Sequence, residues 1–197
     1  MNPVVVHATV EKLKEKLVQT ALDSTEFRDL LTQTVSDIVN YSLVAPNEAS
    51  IESCFDRELY ALLRQLDIHL TIAKEVSVDT CRDISKGRMD SRIGAVVIEY
   101  KDKEKLKTDN DIEKASTQLK TYLIGLSNEK PSFYYGFLTD GIHVKEITID
   151  NKSITKEGPF VEFKVSEALR LIKNMVLLEK TALSPDNLIK DFCYPKR

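Results

Sequence analysis

The hydrophobic pattern of the chain changes its period near residue 66. Before that point, apolar residues recur every three or four positions, as on one face of an α-helix. From residue 69 onwards apolar and polar residues alternate and β-branched residues become frequent, which is typical of strands. A helical pattern returns at residues 111–126, strand patterns follow at 131–150, and a last helix begins near residue 165. This order predicts an α/β fold with a central mixed β-sheet flanked by helices.

Three amphipathic helices are predicted in the N-terminal part. The first carries Val10, Leu13 and Leu17 on one stripe, and residues 23–26 supply N-cap chemistry for the second. The third has the strongest pattern and starts at Asn47 or Ser50, either of which suits an N-cap. At the other end of the chain, Ser166 is expected to cap the last helix.

Composition narrows the classes of protein to which the chain can belong. Its 197 residues suffice for one domain with a real core, and 42% hydrophobic and 30% charged residues are ordinary for a globular protein. The sequence lacks a signal peptide and a long apolar run, so a cytoplasmic protein without a membrane segment is expected. Three scattered cysteines indicate reduced thiols rather than disulfides or a zinc site. A net charge of −3 argues against a protein that simply coats DNA.

The segment from Gly87 to Lys101, GRMDSRIGAVVIEYK, holds charges where a buried strand is expected. Alternation along a strand places Glu99 and Lys101 on one face, and Tyr100 on the other. Asp90 lies in the preceding strand or turn, and a hairpin through Gly94 would bring it to Glu99. Buried charges are kept in proteins mainly when they have partners or hold a metal.

Two neighbouring carboxylates repel each other, and a divalent cation relieves this repulsion while acting as a Lewis acid. Oxygen ligands of this kind suit Mg²⁺ or Mn²⁺ better than Zn²⁺. A lysine beside such a site can orient or deprotonate a water molecule, or stabilise charge on a phosphate oxygen. These are the groups that phosphodiester hydrolysis requires. The alternative for Glu99 and Lys101 is a cross-strand salt bridge on a solvated edge strand.

The pattern formed by Asp90, Glu99 and Lys101 resembles the core motif of the PD-(D/E)XK nucleases, which include restriction endonucleases and RecB-like exonucleases. Met89 stands where the family usually has proline. The resemblance implies a restriction-endonuclease-like core, with Asp90, Glu99 and the backbone carbonyl of Tyr100 holding Mg²⁺ or Mn²⁺. It also implies that Lys101 activates or orients the attacking water.

Further positions extend the resemblance. Gln118 and Tyr122 match the QxxxY motif of the RecB-like branch, which implies that they support the active site or contact the nucleic-acid backbone. The family often adds a glutamate from a preceding helix, and Glu48 and Glu52 are preferred for this role over Glu58. The structural alternative for Gln118 and Tyr122 is an exposed glutamine and a half-buried tyrosine. Arg88 is a candidate for contact with phosphates.

The expected organisation is a helical N-terminal extension (residues 1–45), a nuclease-like core (46–180) and a tail (181–197) that leads to further domains. The resemblance extends to the N-terminal nuclease domains of restriction-modification proteins, so DNA is the expected partner. Methyltransferase or specificity domains or subunits are expected beside it, and a homodimer is one open arrangement. The function that competes with catalysis is an inactive nuclease-fold module for DNA binding or complex assembly.

Overall fold

The computed structural model of the chain describes residues 20, 22–65, 73–78, 87–129 and 133–178. Within these ranges it contains four α-helices and seven strands in the order ααβββαββββα. The predicted helix with Val10, Leu13 and Leu17 lies outside the described residues, and so does the tail from residue 181.

The two N-terminal helices in the described ranges begin where the sequence predicts. Helix α1 covers Thr25–Val44, and the Ser24 side chain caps it by accepting a 3.2 Å hydrogen bond from the Phe27 N–H. Helix α2 covers Glu48–Gln65, and Asn47 is its cap, because Asn47 Oδ1 accepts a 2.9 Å bond from the Ser50 N–H. Glu48 therefore stands in the first turn of α2.

The strands form one mixed sheet. Strands β1 (Ala73–Val78), β2 (Gly87–Ile93) and β3 (Val96–Tyr100) form an antiparallel meander. A short 3-10 helix (Lys103–Leu106) and helix α3 (Asp109–Glu129) then connect β3 to β4 (Phe133–Thr139), which pairs with β3 in parallel. Strand β5 (His143–Asp150) is antiparallel to β4 and pairs on its other side with β6 (Ser153–Glu157) and β7 (Val161–Glu162). Helix α4 (Val165–Leu178) follows.

Helices cover both faces of this sheet. Helices α1, α2 and α4 pack on one face, where Ile98 and Tyr100 of β3 meet Phe27 and Phe55 in a single hydrophobic cluster. Helix α3 covers the other face, where Val97 belongs to a second cluster. All five residues of β3 are buried, so β3 is a central strand rather than a solvated edge. The predicted α/β fold, a mixed sheet flanked by helices, is confirmed.

Two features differ from the prediction. The sequence pattern did not indicate β6 and β7, because every side chain of β6 is exposed and leaves no apolar alternation. The cap predicted for the last helix is wrong, since Ser166 is already the second residue of α4. Instead, Glu167 Oε2 accepts a 3.2 Å hydrogen bond from the Lys164 N–H, so a first-turn glutamate satisfies the start of the helix.

The hairpin between β4 and β5 turns at Asp140 and Gly141, as predicted. Asp140 Oδ1 accepts hydrogen bonds from the N–H groups of Ile142 (2.8 Å) and His143 (2.6 Å). Gly141 has a φ of +81°, and a Cβ atom there would lie 2.0 Å from Ser42 Oγ. The turn therefore requires glycine on both conformational and steric grounds.

Cys54 is a buried free thiol, and burial raises its pKa. Cys81 and Cys193 lie outside the described residues. No helix in the part of the chain that the structure describes is both long enough and apolar enough to cross a membrane.

Candidate active site

The candidate site lies at the carboxyl end of β3, the strand that pairs antiparallel with β2 and parallel with β4. The ladder with β2 ends at the pair of Ser91 and Ile98. Extending this register by one residue puts Asp90 across from Glu99, which agrees with the hydrogen bond from the Tyr100 N–H to Asp90. Opposite residues of antiparallel strands share a face of the sheet. The two acids therefore project to the same side, which is the side covered by α3.

Asp90 replaces a backbone acceptor at this point. Its Oδ2 accepts a 2.8 Å hydrogen bond from the N–H of Tyr100, where the carbonyl groups of β2 no longer continue the ladder. In a β-strand the N–H and C=O of one residue point to the same neighbour. The Tyr100 carbonyl consequently points toward β2, the strand that carries Asp90.

Glu99 is completely buried, and only one of its two oxygens has a partner. Its Oε1 accepts a 2.5 Å hydrogen bond from Lys101 Nζ, whereas Oε2 is buried without a hydrogen-bond partner. The lysine side chain is 12% exposed, and Lys101 directly follows the last residue of β3. Burial raises the pKa of Glu99 to about 7; the Lys101 charge opposes this rise and the Asp90 charge adds to it.

The raised pKa of Glu99 predicts how the stability of the metal-free protein depends on pH. The folded state binds this proton more tightly than the unfolded state, so stability is lost as pH rises from 4.5 to about 7. The loss is at most about 3 kcal/mol, because each pKa unit corresponds to about 1.4 kcal/mol. Urea unfolding in EDTA at pH 5 and pH 8 measures it.

Glu99→Gln provides the control for this measurement, because glutamine mimics the protonated acid. The variant should match the wild type at pH 5 and exceed its free energy of unfolding at pH 8. Equal free energies for the two proteins at both pH values would contradict the prediction.

Both glutamates predicted from the preceding helix approach the two acids. Burial raises the pKa of Asp90, and the charges of Glu48 and Glu52 add to this rise. Glu48 also reaches the loop after β3, where its Oε2 accepts hydrogen bonds from the Asp102 N–H (3.3 Å) and from Lys105 Nζ (3.1 Å). Helix α2 therefore brings its acidic first turns to the end of β3.

The two residues predicted from α3 also meet this site. Gln118 Nε2 donates a 2.7 Å hydrogen bond to the Tyr122 hydroxyl, and Tyr122 is 5% exposed. Burial raises the pKa of Tyr122, and the charges of Glu99, Lys101 and Asp90 all act on it. Gln118 thus acts on the site through Tyr122. Arg88 lies in β2, and its side chain is outside the described part of the chain.

The donor atoms at this position fit a hard divalent cation. Glu99 Oε2 is a buried oxygen that lacks a partner, the Asp90 charge acts on Glu99, and the Tyr100 carbonyl points toward β2, the strand that carries Asp90. Among the described residues, no group of three or more His, Cys, Asp and Glu side chains is placed to hold a metal. Asp90, Glu99 and the Tyr100 main-chain oxygen would be the protein ligands of such an ion, with water and phosphate as its other ligands, an arrangement that Mg²⁺ prefers.

The sequence analysis missed two polar residues around this site. Lys105 pairs with Glu48 across 57 positions of sequence, and no local pattern indicates that contact. Asp56 is buried in α2, and its Oδ1 accepts a 2.8 Å hydrogen bond from the Tyr100 hydroxyl. A signal for Asp56 was present, since it continues the spacing of four from Glu48 and Glu52.

Comparisons with known proteins give little further information. No protein-family model and no curated protein sequence matches the chain. One solved structure that does match is described as a cryoEM structure of a DrdV–DNA complex, with 16% sequence identity and a TM-score of 0.44. The match covers 78% of this chain and 97% of that chain. Similarity at this level assigns no function.

Proposed function

We propose that this chain is a Mg²⁺-dependent nuclease domain of the PD-(D/E)XK type, which hydrolyses phosphodiester bonds of DNA. One observation carries the proposal: Glu99 is fully buried with one unpartnered oxygen, the charge of the Asp90 carboxylate acts on it, and Lys101 is bonded to its other oxygen. Burying such a group costs stability. A site that binds a cation explains why the chain keeps it there.

Each residue of the site has a distinct part in this reaction. Asp90, Glu99 and the Tyr100 carbonyl would hold the ion, which supplies Lewis acidity at the phosphate when it is bound. Lys101 donates hydrogen bonds from the rim of the site. Partial burial acts to lower the pKa of Lys101, but the carboxylates of Glu99, Glu48 and Asp90 together outweigh it and the pKa is raised. Lys101 therefore acts as an ammonium group that orients water and stabilises phosphate charge rather than as a base.

The chemical step is an in-line displacement. The water oxygen forms a bond to phosphorus while the bond from phosphorus to the leaving sugar oxygen breaks; the water gives up its proton to solvent, and the leaving sugar oxygen takes up a proton from solvent. Tyr122 forms a wall of the site on the α3 side, and Gln118 orients its hydroxyl. Glu48 fixes the loop after β3 through the Asp102 N–H, while Glu52 adds negative charge near Asp90.

DNA as the substrate rests on the resemblance of the motif and of its order along the chain. The same resemblance supports a restriction or defence setting, in which methyltransferase or specificity domains or subunits provide sequence recognition. The net charge of −3 fits this division of labour, because DNA affinity would then come from partners and from the site itself.

The test is cleavage of supercoiled plasmid DNA together with direct metal binding. The wild-type chain should nick the plasmid in Mg²⁺ or Mn²⁺ and be inactive in EDTA. Mn²⁺ binding should be measurable by calorimetry in the absence of DNA. Intact plasmid across both metals would refute catalysis and leave an inactive nuclease-fold module for DNA binding or assembly.

A further inference from the structure

Tyr100 is held by two hydrogen bonds, one made by its main chain and one by its side chain. Its N–H donates to Asp90 Oδ2 at 2.8 Å beside the candidate metal site. Its side chain lies on the opposite face, is completely buried, and makes an edge-on ring contact with Phe55 of α2. There the hydroxyl donates to Asp56 Oδ1, also at 2.8 Å. One residue thus connects the buried face of the sheet to the face that carries the acids.

This connection joins three elements that supply acids to the site. Asp56 belongs to α2, the helix that brings Glu48 and Glu52 toward Asp90. The spacing of four between these acids places all three along one side of the helix. Ser91, the β2 residue next to Asp90, also acts on the Tyr100 hydroxyl, where it opposes the rise in pKa that burial causes. Helix α2, strand β2 and strand β3 therefore meet at one buried phenol.

General stabilisation does not explain this choice of residues. A phenylalanine at position 100 would keep the ring contact, and an apolar residue at position 56 would avoid the burial of a carboxylate. The hydrogen bond between Tyr100 and Asp56 instead forms only when β3 has the correct register. A slip of β3 by one residue would move Tyr100 away from Asp56 and turn Glu99 to the wrong face.

We propose that Asp56, acting through the Tyr100 hydroxyl, is a positioning residue that aligns Asp90, Glu99 and the Tyr100 carbonyl as one metal site. This inference rests on the proposed nuclease function. Removal of a partner that orients metal ligands typically lowers metal affinity by about 10- to 100-fold. We expect a loss of this size when the Tyr100 hydroxyl is removed.

The test compares Tyr100→Phe with Tyr134→Phe. Tyr134 is also a buried strand tyrosine, and its hydroxyl donates to the Leu126 carbonyl at 3.3 Å. It lies near the opposite end of the sheet, because the neighbouring Tyr135 N–H bonds to Ala95 before β3 begins. Tyr100→Phe should weaken Mn²⁺ binding by about 10-fold or more and raise the Mg²⁺ concentration for half-maximal cleavage. Tyr134→Phe should change neither by more than about twofold.

Two further measurements separate positioning from general stability. The backbone amide of residue 100 should exchange with solvent about 10-fold faster in Tyr100→Phe, while the amide of Ile98 keeps its protection. Asp56→Asn retains an acceptor for the phenol, so its metal affinity should stay within about threefold of the wild type. Asp56→Leu should reproduce the defect of Tyr100→Phe.

These measurements can support or overturn the positioning role of Asp56. Wild-type Mn²⁺ affinity in both Tyr100→Phe and Asp56→Leu would overturn it. A wild-type protein that binds no Mn²⁺ would refute the nuclease function instead. In that case, faster exchange confined to amide 100 in Tyr100→Phe would still support the positioning bond, and unchanged exchange would overturn it.

Discussion

Replacing either central acid by its amide should abolish cleavage while leaving the protein folded. We expect Glu99→Gln and Asp90→Asn each to lower the rate of plasmid nicking in Mg²⁺ by at least about a thousandfold. The reason is that a bound metal contributes several kcal/mol of transition-state stabilisation and each amide is a poor ligand for it. The amide oxygen introduced by Asp90→Asn can still accept the hydrogen bond from the Tyr100 N–H that Asp90 Oδ2 accepts at 2.8 Å.

Stability measurements distinguish this loss from simple unfolding. Glu99→Gln removes a carboxylate whose burial is unfavourable above its pKa of about 7, so the inactive variant should resist urea better than the wild type at pH 8. Glu58→Gln serves as the control and should keep full activity, because Glu58 is partly exposed on α2 and pairs with the exposed Arg57. Cleavage within about 10-fold of wild type by both Glu99→Gln and Asp90→Asn would refute the proposed site.

Lys101→Met should reduce both activity and stability, and the loss of stability should depend on pH. The rate of cleavage should fall by about 100- to 10,000-fold, the range for a group that orients or transfers protons at the reacting atoms. The lysine is also the partner of Glu99 Oε1, so its removal leaves a buried carboxylate without a counter-charge. Loss of one partner of a buried ion pair costs roughly 3 kcal/mol or more. At pH 5 Glu99 is protonated, and the cost should be small.

A double variant and a matched lysine complete this experiment. The double variant with Glu99→Gln and Lys101→Met should recover most of the lost stability at pH 8, because no buried charge is left unpaired. It should remain inactive, because both side chains that the reaction needs are missing. Lys145 of β5 is the matched control, because β5 lies two strands away from β3. The Lys145 side chain is 11% exposed and pairs with Glu157 at 2.7 Å. Lys145→Met should retain cleavage. A Lys101→Met protein with wild-type rate would show that the ammonium group has no part in the reaction.

The central part of the site could be predicted because its geometry is local. Asp90 and Glu99 are nine positions apart, and a hairpin with a period of two places them opposite each other whatever surrounds them. The amphipathic pattern likewise predicted α2 and α3, whereas the expectation that Glu48 and Tyr122 join the site came from the resemblance to the nuclease family. The sequence therefore predicted the fold class and the residues that meet at the end of β3.

The remaining features depend on packing between distant segments. Lys105 reaches Glu48 only because the loop after β3 folds over the first turn of α2. The spacing of Asp56 from Glu48 and Glu52 is visible in the sequence, but its partner Tyr100 comes from a strand 44 positions away and no local pattern indicates that contact. Strand β6 joins the sheet through hydrogen bonds to β5 and buries no side chain, so its sequence has no hydrophobic pattern that predicts a strand.

The hydrogen bond from the Tyr100 N–H to Asp90 has a practical consequence for protein engineering. For the proposed nuclease, a variant that binds its substrate without cutting it needs a residue at position 90 that still accepts this hydrogen bond and so completes the sheet. Alanine would leave a main-chain donor without its acceptor, and glutamate would extend the acceptor by one methylene group. Asparagine keeps both the length and the acceptor, which makes Asp90→Asn the variant of choice for trapping complexes.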